Sequence, residues 1–292
     1  MEIRNIGVAS PGDMGQAIAA RLKESGLNVY TALEGRSART KALARDAGIE
    51  DCGSLEALVG TCEMVLSVLN PGAAADKARE VARAIRKTGR RIAFADCNAV
   101  SPQTVREIDG IIRDAGSVFI DAGIVGPPPR GKSGTRIYVS GPDAYLFTQF
   151  DNPSLMVRVV SERIGDASGV KMCYGAITKG AVALGVELLI AARRLGVEQA
   201  LEAEFKESLA DVYGWMTSRI PPMPPKAYRW VPEMLEIART FEGVGMTPRI
   251  MQGAADMYEM VAATPLANES PEEARARARN GVEVVRALAG GK

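Results

Sequence analysis

Ile3-Arg4-Asn5-Ile6-Gly7-Val8-Ala9-Ser10-Pro11-Gly12-Asp13-Met14-Gly15 opens the chain and decides its fold. A short β-branched run ends in a glycine-punctuated turn, and an amphipathic pattern begins at Asp13. Serine stands first in what is otherwise a G-x-G-x-x-G frame. Gly12 would let the backbone approach a pyrophosphate, and Gly15 would let a helix pack closely on a strand. The N–H groups at the start of that helix carry partial positive charge toward any phosphate placed there. The competing reading, a tight strand–helix turn with no ligand, is weakened by the position of the motif at the head of a βαβ unit.

Outward from this turn, the first half alternates strands and helices. Strands are expected at 3–8, 27–33, 64–69, 91–96 and 118–121, with helices at 13–25, 37–46, 73–86 and 101–115. Alternation with helices of this length implies right-handed crossovers and a parallel sheet. Ser101-Pro102 supplies an N-cap and a first-turn proline. After about residue 165 the pattern becomes helical: 171–194, 198–217, 230–241, 248–263 and 271–289. Ser270-Pro271-Glu272-Glu273 reads as a capping box, and Ile220-Pro221-Pro222-Met223-Pro224-Pro225 as an interhelical loop. The expected organisation is a Rossmann-type α/β nucleotide-binding domain over 1–165 and an all-α substrate and dimerisation domain over 166–292.

The 292 residues are 47% hydrophobic and 24% charged, with a net charge of +1, so no charge field points to nucleic acid or an anionic membrane. Histidine is absent altogether, which excludes every mechanism that needs an imidazole. Cys52, Cys62, Cys97 and Cys173 are scattered without a CxxC, so no metal site is expected and a reducing cytoplasm is. No run of eighteen apolar residues suggests a membrane span, and the N-terminus lacks the apolar run of a signal peptide.

About twenty residues beyond the turn, where an adenosine ribose would lie, stands Glu34-Gly35-Arg36-Ser37, followed by Arg39 and Thr40. Arg36 and Ser37 at a helix start suit a 2′-phosphate and favour NADP; Glu34 on a ribose would favour NAD.

Several segments, in order, resemble the β-hydroxyacid dehydrogenases, which share a fold with 6-phosphogluconate dehydrogenase. Gly12-Asp13-Met14-Gly15 looks like that family's G-x-G-x-M-G, and Asp96-Cys97-Asn98-Ala99-Val100-Ser101-Pro102 like its D-x-S-T-x-x-P. Asp121-Ala122-Gly123-Ile124-Val125-Gly126 is similar to D-A-P-V-S-G-G, and the stretch from Gly134-Thr135 to Gly141 to its G-T-L strand. Gly165-Asp166-Ala167-Ser168-Gly169-Val170-Lys171 matches G-x-G-x-x-x-K, which implies that Lys171 is the catalytic lysine. The later helices, with Thr178-Lys179-Gly180 and Arg229-Trp230-Val231-Pro232-Glu233-Met234, look like a poorly characterised branch. The resemblance implies cofactor contacts from Ser10, Pro11, Gly12, Asp13, Met14, Gly15, Arg36, Ser37, Leu69, Asn70 and Asn98. It implies substrate contacts at Val125 and Gly126; where the family's loop binds a substrate carboxylate, Arg130 or Lys132 could substitute here, and without them the substrate need not be a simple hydroxy acid. Asn98-Ala99 replaces Ser-Thr, Gly175 replaces an asparagine one turn after the lysine, and the loop 126–132 carries three prolines that lack donors.

Hydride transfer from an alcohol needs a proton acceptor. None of the seven tyrosines has a lysine four residues later, so the short-chain Tyr-x-x-x-Lys solution is excluded. Lys171 opens a long apolar helix at the domain junction, where a helix N-terminus and burial both disfavour the ammonium. Tyr174, one turn on, could donate to a substrate oxygen. Lys179, two turns on, could be a second acid–base, a substrate anchor, or a packed stem. Tyr228, Trp230, Glu233 and Glu236 would line the helical domain or a dimer groove. The expected activity is NADP-dependent oxidoreduction of a small alcohol or carbonyl, such as a 3-hydroxyacid. Imine reduction and a silent cofactor-binding scaffold are the alternatives. Ala181, Leu184, Gly185, Leu188, Leu189 and Ala192 offer an apolar helix face, from which a homodimer is expected.

Overall fold

The computed structural model describes residues 2–130 and 134–290. It separates into two compact units, Met1–Met172 and Cys173–Lys292. The first runs β1 (Asn5–Val8), α1 (Asp13–Glu24), β2 (Asn28–Thr31), α2 (Ala38–Asp46), β3 (Glu50–Asp51), α3 (Leu55–Thr61) and β4 (Met64–Ser67). It continues α4 (Ala74–Thr88), β5 (Ala93–Asp96), α5 (Pro102–Arg113), β6 (Val118–Val125), β7 (Thr135–Ser140) and β8 (Leu155–Ser161). The strands form one sheet in the order β3-β2-β1-β4-β5-β6-β7-β8. The order in which the chain lays down its strands reverses between the parallel neighbours β1 and β4, the switch point at which such sheets bind ligands.

Helix periodicity explains the layers. Ala17, Ile18 and Leu22 of α1 turn inward, as do Ala78, Val81, Ala82 and Ile85 of α4 and Val105, Ile108 and Ile112 of α5. Ile6, Val8 and Leu66 belong to the core on one face of the sheet, and Val65, Phe94 and Phe119 to the core on the other. The Ser101 hydroxyl accepts from the Thr104 amide, and Pro102 occupies the first turn as expected.

Two sequence expectations need correction here. The sheet is not uniformly parallel: β7 runs antiparallel to β6, with Asp121 opposite Ser140 and Val125 opposite Arg136. The intervening loop carries no helix among its described residues and is too short for a crossover. The strand foreseen at 118–121 extends through Val125, because every residue of β6 is buried and the β7 pairing continues along it. The two-residue β3, the seven-residue α3 and β8 were not foreseen.

Helix α6 (Asp166–Gly175) begins in the first unit. Its start is held there by Asp121, whose carboxylate accepts from the Gly165 and Ser168 amides and the Ser168 hydroxyl. A π-helical turn (Ala176–Gly180) follows, then α7 (Ala181–Arg194), α8 (Glu198–Ser208), α9 (Ala210–Thr217), α10 (Ala227–Glu242), α11 (Arg249–Ala262), α12 (Pro271–Ala276) and α13 (Gly281–Leu288). Helical backbone from Asp166 to Arg194 is long and apolar enough, by length and composition alone, to cross a membrane. It is not an unbroken apolar run, since Lys171, Lys179 and Glu187 fall within it. Its second half nonetheless packs within its unit: a Cβ on Gly185 would meet Met216, and one on Gly180 would meet Met251.

Two expected helices are broken. Leu209, at φ −138°, divides 198–217, and the turn stacks Tyr213 on Phe205 at 5.4 Å. Ala278, at φ +49°, ends α12, and Asn280 caps α13 with its own capping box to Glu283. Gly281 then lies where a Cβ would come 2.6 Å from the Thr217 carbonyl. Of the six residues proposed as a dimer face, Gly185, Leu189 and Ala192 are buried and Leu184 is 60% exposed.

Candidate active site

Gly12 caps α1 with φ −72° and ψ −166°, with no side-chain cap hydrogen bond. A Cβ on Gly12 would meet nothing within 4 Å, whereas one on Gly15 would sit 2.5 Å from the Ser10 carbonyl. The loop therefore leaves open space at Gly12, at the N-terminus of α1, and none at Gly15. This is the cradle a pyrophosphate needs. The Gly12 amide donates to Ser10 O at 2.9 Å, which tightens the turn. Pro11 is buried, while Asp13 and Met14 are half-buried.

Beyond β2, a cavity of about 300 Å³ is lined by Ala9, Ala32, Glu34, Arg36, Lys77 and Glu80, among others. Arg36 reaches into it half-buried, and its guanidinium donates to Ala9 O at 2.8 Å. Ser37 is the N-cap of α2, accepting from the Thr40 amide at 3.2 Å. Lys77 was missed in the sequence. It lies one turn into α4 and pairs with Glu80. The strand order brings α4 beside the end of β1, a proximity that linear spacing does not display.

The ends of β4 and β5 are joined by Asn98. Its amide nitrogen donates to Ser67 Oγ at 2.9 Å and Asp96 Oδ1 at 2.6 Å, while its oxygen accepts from Leu69 N at 2.6 Å. Asn70 caps the 3₁₀ turn Pro71–Ala73. Desolvation pushes the Asp96 carboxyl up to about 7, with Asp121 adding to it against the hydrogen bonds from Asn98 and Ser67. Burial likewise raises Asp121 despite its donors from Ser168, Ser140 and Gly165. Asp96 and Asp121 are register partners on adjacent strands.

Lys171 is half-buried on α6, but it does not open the helix as expected: α6 starts at Asp166, which puts the lysine in the second turn, beyond the end whose dipole was expected to disfavour its ammonium. Strand β6 passes so close beneath that a Cβ on Gly123 would be 2.8 Å from Ala167 O and 2.9 Å from Lys171 Cβ. The glycine lets helix and strand touch and sets the stem of the lysine against β6. Val125 is buried at the end of β6, and Gly126, at φ +126°, starts the next loop. Arg130, expected at the substrate, ion-pairs with Asp13 at the head of α1, and the Pro129 carbonyl accepts from Arg21. Lys132 lies outside the described residues.

Tyr174 and Lys179 fall in the helical unit. Tyr174 is 43% exposed. Lys179 forms a mostly buried ion pair with Glu233 at 2.9 Å and stands over the Trp230 ring at 5.5 Å. Tyr258 donates to the Lys179 carbonyl at 2.6 Å and packs edge-on against Trp230. This packing surrounds the π turn, where the backbone departs from the α-helical ladder. Tyr228 is exposed on the same helix as Trp230. No cluster that could hold a metal ion occurs among the described residues.

Residues 5–151 match the NAD binding domain of 6-phosphogluconate dehydrogenase, and residues 192–261 match a domain of unknown function, DUF1932. An uncharacterised 28.5 kDa protein of Methanothermus fervidus is 27% identical over 68% of this chain and 74% of its own. A conserved protein of unknown function, described as structurally similar to 3-hydroxyacid dehydrogenases, is 31% identical. It covers 91% of this chain and 100% of its own, with a TM-score of 0.65. A Mycobacterium tuberculosis 3-hydroxyisobutyrate dehydrogenase with L-serine shares the fold at 18% identity and a TM-score of 0.69, over 95% of this chain and 100% of that one. With its open Gly12 cradle, its mostly parallel sheet and its helical C-terminal region, the chain belongs to the 6-phosphogluconate dehydrogenase-like NAD-binding family.

Proposed function

We propose that this protein is an NADP-dependent oxidoreductase acting on the alcohol or carbonyl of a small polar substrate, a 3-hydroxyacid or a close relative, with Lys171 as the acid–base. The observation that carries the reading is the contact of α6 with β6 at Gly123, which fixes the stem of Lys171 within the nucleotide-binding unit. The start of that helix is tied to Asp121 by two backbone and one hydroxyl donor, so the lysine stands on a rigid support.

When bound, the nicotinamide supplies the hydride donor or acceptor. The chain's own part is to bind, orient and move a proton. The Gly12 loop and the head of α1 would hold the cofactor's phosphates, and Asn98 shapes the loop at Leu69. Lys171 Nζ takes the hydroxyl proton in oxidation and returns it in reduction. With no histidine in the chain, a lysine half-buried against β6 is the side chain we assign to that proton. Arg36 at the 300 Å³ cavity supports NADP over NAD, because a guanidinium there can pair with a 2′-phosphate.

The same reading assigns residues 1–165 to cofactor binding and 166–292 to substrate and self-association, with a homodimer in the cytoplasm. Exposed Ile177, Leu184, Val244, Met246 and Ile250 in the helical unit support self-association, and four free cysteines support a reducing setting. A turnover screen following nicotinamide absorbance over hydroxy acids, polyols, amino alcohols and imines tests the function. Lys171→Ala should lose roughly 10²–10⁴-fold in turnover on the active substrate while still binding NADPH. Unchanged turnover would remove Lys171 from the mechanism.

A further inference from the structure

Three polar side chains are enclosed at the carboxyl ends of β4 and β5: Ser67 and Asp96 are fully buried and Asn98 is 3% exposed. The Asn98 carboxamide is completely engaged. Both amide hydrogens point to acceptors, Ser67 Oγ and Asp96 Oδ1, and its oxygen receives the Leu69 amide. The Asn98 backbone amide also approaches Asp96 Oδ2 at 3.4 Å. Turning the carboxamide over would set its oxygen against the Asp96 carboxyl and its NH₂ against the Leu69 N–H. Each is a donor–donor or acceptor–acceptor clash among buried groups. Asp96 therefore decides which way Asn98 faces, and Asn98 decides where the Leu69 amide is held.

We infer that Asp96 is a positioning residue for the cofactor: acting through Asn98, it holds the Leu69–Asn70 loop in the shape that receives the nicotinamide nucleotide. The inference rests on the cofactor reading above. The loop lies past the carboxyl ends of β4 and β5, beside the switch point where ligands of such sheets bind. The carboxylate is a stronger acceptor than the neutral acid, so the clamp tightens as Asp96 loses its proton. The titratable groups that face Asp96 are Asp121 on β6 and the neighbouring Cys97 thiol, which is itself pushed well up by burial.

The test is a fluorescence titration of the whole protein with NADPH and, in parallel, NADH, at pH 6, 7 and 8. Amide exchange at Leu69 is followed in the cofactor-free protein. The wild type should bind more tightly as pH rises through 7. Asp96→Asn should bind about 5–10-fold more weakly, with a flat pH profile and faster exchange at Leu69. This corresponds to loosening one charge-assisted hydrogen bond. Asn98→Ala should show the same losses, and the double variant should be no worse than Asn98→Ala alone, since the two residues act as one unit. If Asp96→Asn does not fold, the flat profile and the faster exchange are read from Asn98→Ala. Wild-type affinity and pH profile in Asp96→Asn would overturn the inference, as would additive losses in the double variant. A wild type that binds neither nucleotide would refute the cofactor reading and this inference with it.

Discussion

Replacing Asp121 tests whether the head of α6 is anchored as the geometry indicates. Its carboxylate accepts from Gly165 N at 2.9 Å, Ser168 N at 3.1 Å, Ser140 Oγ at 2.8 Å and Ser168 Oγ at 2.6 Å. In Asp121→Ala the two hydroxyls can turn to other acceptors, but the two backbone N–H groups are left buried with no partner. An orphaned buried donor costs about 1–3 kcal/mol, and the lost bonds to a carboxylate add to it. The expected destabilisation is about 3–5 kcal/mol, which for a chain of this size lowers the melting temperature by on the order of 10 °C. Asp121→Asn keeps one carbonyl oxygen for the two N–H groups and should cost about 1–2 kcal/mol. Urea denaturation followed by circular dichroism measures both. Hydrogen exchange over 165–171 should quicken, because these amides lose the group that holds the helix start. A shift below about 0.5 kcal/mol in Asp121→Ala would refute the anchoring argument, since that is the range of a featureless surface site.

Gly15→Ala should weaken NADPH binding about tenfold or more, above 1.4 kcal/mol, because the new methyl falls 2.5 Å from the Ser10 carbonyl and must open the loop; undiminished affinity by fluorescence titration would contradict the cradle. Arg36→Ala should remove most of a preference for NADPH over NADH, on the order of 1.5–3 kcal/mol, and equal affinities in the unmodified protein would defeat the assignment. Asp96 should also mark the stability profile. Its folded value of about 7 lies above the ordinary carboxyl value of 3.8, so the folded state holds the proton more tightly. The associated stability is fully present below pH 3.8 and is lost as pH rises through 7, a span on the order of 4 kcal/mol. Asp96→Asn should flatten that stretch, and a urea midpoint profile unchanged by the substitution would count against it.

The candidate site was partly legible in the chain. Residues 12–15 declare themselves because a phosphate loop is local: one glycine must leave room and the other must tolerate a backbone carbonyl, all within one turn. Ser101-Pro102 and Ser270-Pro271-Glu272-Glu273 are legible for the same reason, as a cap is written within four residues. Lys77 was hidden because its nearness to Arg36 comes from strand order rather than spacing. The engagement of Lys179 by Glu233 was hidden too, since the partners are joined only when α10 packs against the π turn.

By itself, then, the order of residues determined the alternation of strands and helices, the phosphate turn, the helical second half and the exclusion of imidazole chemistry. The exclusion follows from composition alone, and the others from backbone propensity and side-chain period over a few residues. Tertiary structure alone decided that β7 would turn back against β6, that a glycine at 123 would press β6 against the helix bearing Lys171, and that Asp96 would be buried beneath Asn98. It also broke the helices at Leu209 and Ala278, where Tyr213 packs on Phe205 and the Thr217 carbonyl meets Gly281. These features depend on close approach between segments far apart in the chain. Close packing admits one arrangement of such segments, and no local pattern encodes it.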